Sequence, residues 1–173
     1  MNINRTLVIA AAACIALAGC TKKNVKEGPA ENLQGPPSAN TQPMGPSTGG
    51  KYTPADLETD SCLRQRVVYF DFDKDAVKPE FQAIVACHAK YLMDRPMAHM
   101  RLEGNTDERG SRQYNLGLGE RRGDAVMAAI RGNGGSSSQM DVVSYGEEKP
   151  VCTESNEECW SKNRRVEIVY TAK

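Results

Sequence analysis

In the stretch RVVYFDFD (66–73), Val68, Phe70 and Phe72 alternate with Val67, Tyr69, Asp71 and Asp73. A period of two marks a strand with one buried face, and β-branched and aromatic residues suit a pleated surface. The pattern predicts a strand with Asp71 and Asp73 together near its C-terminal end. After Pro79, a suitable first residue for a helix, Phe81, Ile84, Val85, His88 and Leu92 recur at helical spacing, and a helix is expected to about Asp94. His88 falls inside that apolar stripe, which reads as a core histidine, with a chemical role as the alternative.

AHMRLEG (98–104) predicts a second strand, with Met100 and Leu102 facing one way and His99, Arg101 and Glu103 the other. Ser111 then suits the N-cap of a second helix lasting to about Arg131, and the run Gly132-Asn133-Gly134-Gly135 ends it. Gly117 and Gly119 each weaken that helix by about 1 kcal/mol relative to Ala; close backbone approach or an irregular start would account for them. MDVVSYG (140–146) and RRVEIVYTA (164–172) predict a third and a fourth strand, with Val166, Ile168 and Tyr170 on one face of the last. EEKPVCTESNEECWSKN (147–163) is expected as a polar loop. Thr53, Pro54 and Asp56 predict a short helix start where order begins. The expectation is an α+β domain of order βαβαββ, with helices packed on one face of a mixed four-stranded sheet.

Upstream of residue 53 the pattern changes. Arg5 precedes an apolar, Ala-rich run, Thr6 to Ala18, too short to suit a spanning helix and laid out like a secretory signal. It ends Leu17-Ala18-Gly19-Cys20, which resembles the bacterial lipobox, so that Cys20 would carry the lipid. Two or more acyl chains anchor stably where one holds marginally. Thr21 after the cysteine favours an outer-membrane destination. Residues 21–51 hold almost no large apolar side chains and many Pro, Gly, Ser and Asn. Such a segment cannot offset its ordering entropy by burial, so it reads as a tether with a relaxed span of about 35 Å. The expected organisation is a lipoprotein signal at 1–19, a lipidated cysteine and tether at 20–52, and a folded domain at 53–173.

Secretion determines how the cysteines read. Cys14 leaves with the signal and Cys20 is lipidated, leaving Cys62, Cys87, Cys152 and Cys159 in an oxidising compartment. Cys152 and Cys159 are close in sequence, so they are expected to pair, leaving Cys62 with Cys87; free buried thiols and a metal site are the alternatives. With 22 basic and 22 acidic residues, bulk charge favours neither nucleic acid nor an anionic membrane surface.

Catalysis finds little support. The histidines are His88 and His99 only, and neither G-x-S-x-G nor H-E-x-x-H occurs. Asp71, Asp73 and Asp75 fit the first ligand positions of a calcium loop, but Ala76 and Gln82 stand where that loop needs Gly and Glu. No enzyme activity, cofactor or metal is expected. The more informative position is Arg122. At about 100° per residue from Leu118 it lies near 40°, among Tyr114, Ala125 and Ala129 on the inward stripe. A buried guanidinium is costly unless a carboxylate pairs with it. Asp107 and Asp73 are the candidate neighbours, in an internal ion pair or a ligand site.

Four segments carry a resemblance: VYFDFDK, LEGNTDERGSRQYNLGLGERRGDAV, VSYGEEKP and SKNRRVEIVY, in order between about Val67 and Tyr170. They resemble the C-terminal peptidoglycan-binding domain shared by OmpA-like proteins. With the lipobox and tether in front, the resemblance implies an outer-membrane lipoprotein whose domain sits in the periplasm. It would bind peptidoglycan non-covalently and work with Tol-system proteins, notably TolB, over an overlapping surface, in envelope integrity and cell division. The ligand implied is meso-diaminopimelate of the stem peptide. Asp107 would take its ammonium and Arg122 its carboxylate, with Phe72, Asp73, Thr106, Arg109 and Leu118 lining the cleft. Two features depart from the family pattern: Asn105 stands where many members have His, and the cysteine-clipped loop is not general. An adaptor lipoprotein acting mainly through protein–protein contacts is the alternative reading.

Overall fold

The computed structural model describes residues 50–173. The expected signal (1–19), the Cys20 lipidation site and the tether up to residue 49 lie outside the described residues. In chain order the elements are α1 (Asp56–Thr59), β1 (Val67–Tyr69), α2 (Gln82–Asp94), β2 (His99–Asn105), α3 (Arg112–Gly132), β3 (Met140–Gly146), α4 (Glu157–Asn163) and β4 (Arg165–Ala172). A 3₁₀ turn at Pro79–Phe81 leads into α2, and another at Ser137–Gln139 leads into β3.

The strands form one sheet in the order β1–β4–β2–β3. β2 and β3 are parallel, joined by α3, while β4 runs antiparallel to both β1 and β2. This is the expected mixed α+β sheet, with α1 and α4 added. α3 lies across β2, β3 and β4 and packs beside α2. Val68, Met100, Leu102, Val166 and Ile168 from the sheet meet Val85, Ala89, Leu92, Val126 and Ile130 from the helices in one core. Two disulfides pin the periphery. Cys62–Cys87 ties the segment after α1 to α2 (Cα–Cα 6.3 Å), and Cys152–Cys159 closes the loop before α4 (4.9 Å). Both pairings match the expectation.

His88 is fully buried, as the apolar stripe implied. Its Nε2 lies 3.0 Å from Gln65 O, an acceptor, and its Nδ1 lies 2.8 Å from Tyr170 Oη. A carbonyl can only accept, so Nε2 donates to Gln65 O, and in the neutral ring Nδ1 accepts from the Tyr170 hydroxyl. Burial pushes its pKa down to about 4.

α3 is capped as expected, with Ser111 Oγ accepting from Tyr114 N–H. Gly119 explains how closely it approaches the sheet. A Cβ on Gly104 would sit 1.9 Å from Gly119 O, and one on Gly119 would sit 2.3 Å from Ser144 Oγ. The N-terminal half of α3 thus rests almost backbone to backbone on the C-terminal end of β2. Gly117 plays no such part; only Arg121 Nη1, at 3.5 Å, comes near.

Three expectations need correction. β1 ends at Tyr69 rather than Asp73. Its partner β4 begins at Arg165, so the chain beyond Phe70 has nothing to pair with; Phe70 N–H makes the last contact, with Arg164 O. A turn follows, in which Lys74 N–H bonds Asp71 O and Asp73 adopts a left-handed φ of 55°. Asp71 and Asp73 therefore share no strand face, and Phe72 is 54% exposed. The segment 147–163 is not all loop: Asn156 caps α4 by accepting from Cys159 N–H, and Glu157 and Glu158 occupy its first turn. Finally, the first helix starts at Asp56 rather than Pro54. Thr53 donates to Asp56 Oδ2 through both its N–H and its hydroxyl instead of accepting as a cap.

Candidate functional site

The C-terminal end of β2, the turn after β1 and the first half of α3 converge on a cavity of about 190 Å³. That is smaller than pockets for drug-sized ligands and suits a single side chain. Phe72, Asp73, Thr106, Asp107, Arg109, Leu118 and Arg122 all line it, together with Gly110, Tyr114 and Asn115. The sequence reading thus placed seven residues, scattered over fifty positions, around what is one cavity.

Arg122 is the largest fully buried side chain among the described residues, with 0% exposure. Its expected carboxylate partner is absent: no ion pair joins it to Asp107, to Asp73 or to any other described acid. Three backbone carbonyls hold it instead. Nε donates to Lys74 O (2.8 Å), Nη1 to Asn105 O (2.9 Å) and Nη2 to Asp71 O (3.2 Å). The ring of Phe70 lies 5.2 Å from the guanidinium carbon. The carbonyls can serve because the chain turns at 71–74 and β2 ends at Asn105; Asp71 O accepts from Lys74 N–H as well. Burial pushes the pKa down to about 10, with the nearby Asp107 charge working the other way, so the group stays cationic at neutral pH. A guanidinium carries five N–H donors; three are engaged here, leaving one on Nη1 and one on Nη2.

Asp107 is 3% exposed and sits in a cage of arginines. Oδ1 accepts from Arg109 N–H (3.1 Å) and Nε (3.0 Å), while Oδ2 accepts from Arg109 Nη2 (2.7 Å) and Arg164 Nη1 (3.2 Å). Burial alone would raise its pKa, but the bonds from Arg109 and Arg164 outweigh it and hold the carboxyl below its usual range. Thr106 Oγ1, also buried, has no hydrogen-bond partner among the described residues. Asp73 accepts from Tyr114 Oη at the rim, and Leu118, 5% exposed, is the apolar part of the lining.

Several participants were missed. Arg164 closes the cage from fifty-seven residues away, and also donates to Phe70 O (3.0 Å) and Glu157 (2.6 Å). The adjacent Arg164 and Arg165 are both buried, which the strand alternation of the following residues could not reveal. The Trp160 ring lies 4.1 Å from the Arg109 guanidinium, as the Phe72 ring does at 4.0 Å. Its location on α4 was hidden by the loop reading. Asn115 bonds Glu147 and is 1% exposed; a buried Asn on the inward stripe was the available signal.

Among the described residues no group of three or more His, Cys, Asp or Glu could hold a metal ion. No described helix is long and apolar enough to cross a membrane.

The comparisons with known proteins agree with this fold. The OmpA family model matches residues 69–164. The peptidoglycan-associated lipoprotein of Haemophilus influenzae is 45% identical over 123 residues, covering 71% of this chain and 78% of that one. Its namesake from Pseudomonas putida is 38% identical over 172 residues, 97% of each chain. The crystal structure of the peptidoglycan-associated lipoprotein from Burkholderia pseudomallei superposes with a TM-score of 0.65 at 44% identity, covering 66% of this chain and 98% of that one. The C-terminal domain of Helicobacter pylori MotB shares the fold at 24% identity, with a TM-score of 0.57 over 62% of this chain and 84% of that one. The match runs through the strands, the turn and the helix that build the cavity, and the chain belongs to the OmpA family, among its peptidoglycan-associated lipoproteins.

Proposed function

We propose that this chain is a lipid-anchored protein of the outer membrane whose periplasmic domain binds peptidoglycan non-covalently, gripping meso-diaminopimelate of the stem peptide. It is a structural tether rather than an enzyme, as befits its family. In this reading it serves the Tol–Pal system in envelope integrity and division, with TolB among its partners, and Cys20 carries the lipid.

The observation that carries the reading is Arg122. A buried cation with no acid in ion-pair contact is costly; the carbonyls that hold it supply dipoles, and the acid that bears on it most, Asp107, acts only from a distance. Its two spare N–H groups match a carboxylate, which guanidinium takes bidentately. Asp107, lining the same cavity, suits an ammonium. The diaminopimelate side chain ends in both groups, whereas a lysine side chain offers the ammonium alone. Full-length protein is therefore expected to co-sediment with sacculi of the diaminopimelate type and to remain in the supernatant with sacculi of the lysine type. Equal co-sedimentation with both would overturn the assignment.

A further inference from the structure

Asp107 has no acceptor position to spare. A carboxylate offers about four lone-pair sites, and here the Arg109 N–H, the Arg109 Nε, the Arg109 Nη2 and the Arg164 Nη1 take one each. An arriving ammonium must therefore displace a donor. The Arg109 main-chain N–H belongs to the turn itself. Arg164 has a side chain 6% exposed and is bonded on two other sides. The Arg109 side chain is different: it is 30% exposed, and among the described residues its only ion-pair partners are Asp107 (2.7 Å) and Glu157 (3.6 Å).

Two further features bear on that side chain. Its guanidinium carbon lies over the rings of both Phe72 (4.0 Å) and Trp160 (4.1 Å). A second carboxylate, that of Glu157, lies 3.6 Å from Nη2 and is 62% exposed. Trp160 and Glu157 both sit on α4, whose approach is closed by the Cys152–Cys159 bridge, and Trp160 Nε1 donates to Glu108 (3.1 Å) in the same turn as Arg109. The cysteine-clipped segment does not line the cavity; it packs against Arg109, which does.

Resting on the ligand reading above, we propose that the Arg109 side chain is a shutter over Asp107. It closes the acid in the free protein and swings toward Glu157 when the guest's ammonium enters. Trp160 is a positioning residue that holds the shutter closed. A binding-competent state that is only partly populated weakens apparent affinity by its population, so loosening the shutter tightens binding.

The test measures the affinity of full-length protein for two tripeptides by calorimetry. One contains diaminopimelate; the other carries a side chain that ends in a carboxylate without the amine. From the usual strength of a partly exposed cation–π contact, Trp160→Ala is expected to bind the diaminopimelate peptide roughly 2- to 5-fold more tightly. It should leave the amine-free peptide unchanged, because that peptide does not need Asp107. Trp160→Phe keeps a ring over Arg109 and should restore wild-type affinity. Arg109→Gln, which removes the shutter but keeps the Trp160–Glu108 bond, should also tighten binding of the diaminopimelate peptide. Weaker binding of that peptide in either Trp160→Ala or Arg109→Gln, or an equal change for both peptides, would overturn the shutter while leaving the ligand reading intact. Failure of the wild type to bind the diaminopimelate peptide would overturn both.

Discussion

Replacing Arg122 by Lys keeps the charge and removes the planar fork. In the native structure the guanidinium reaches the turn after β1 twice, at Asp71 O and Lys74 O, and the end of β2 once, at Asn105 O. One ammonium cannot span all three. Losing two such bonds, each contributing about 1 kcal/mol net, lowers stability by roughly 2 kcal/mol. For a domain of this size that shifts Tm by about 6–10 °C. The effect on binding is larger than on folding. On the proposed reading a bidentate carboxylate seat becomes a single charged contact, and one charge-assisted hydrogen bond is worth about 1.5–3 kcal/mol, or roughly 10- to 100-fold in Kd. Calorimetric melting measures the first quantity, and titration with a diaminopimelate-containing tripeptide at 25 °C, where the variant remains folded, measures the second. Wild-type affinity in a folded Arg122→Lys variant would refute the assignment of Arg122 as the anion seat. An unchanged Tm would refute its role in joining the β1 turn to β2.

Asp107→Asn keeps one acceptor, which at the Oδ2 position still takes Arg109 Nη2 and Arg164 Nη1, while the new NH2 loses the Arg109 N–H and Nε bonds. The fold is expected to survive with lower stability, and binding of the same tripeptide to weaken by roughly 10-fold or more; undiminished affinity by titration would count against the ammonium seat. Because the Asp107 carboxyl is held below its ordinary range, wild-type binding should persist as pH falls toward 4 wherever the protein stays folded. His88 sets a separate acid limit. Its folded pKa of about 4 lies below the unfolded value of 6.5, so the unfolded chain takes up the proton first and stability falls as pH drops from about 6.5 to 4. The loss is on the order of 3 kcal/mol. His88→Gln should flatten that slope in urea titrations across this window, and an unchanged slope would show that other groups carry it.

Much of this architecture was legible in the chain. β3 was read to the residue because MDVVSYG is bounded by turn residues on both sides, and α3 to within a residue of its end because a serine cap and a glycine-rich stop enclose it. The buried position of Arg122 followed from helical periodicity alone. Its partners did not, since carbonyls become free acceptors only where a strand happens to stop. That depends on where β4 begins to pair with β1, a matter of register rather than composition. The Asp107–Arg164 contact spans elements far apart in the chain and leaves no local trace. α4 escaped because its interior rests on Cys159 and a half-buried Trp160, too few apolar residues to show a period. The disulfide pairing was legible because one loop is so short.

The central claim is that Arg122 and Asp107 together select a guest carrying a carboxylate and an ammonium on one side chain. An NMR titration of the isotope-labelled protein with two tripeptides, identical except for diaminopimelate or lysine at the third position, tests it most directly. The account predicts saturable shifts confined to Phe72, Thr106, Asp107, Leu118, Arg122 and their neighbours with the first peptide, and none at the same concentrations with the second. Equal responses to both peptides, or shifts that bypass the Arg122 cavity, would contradict it.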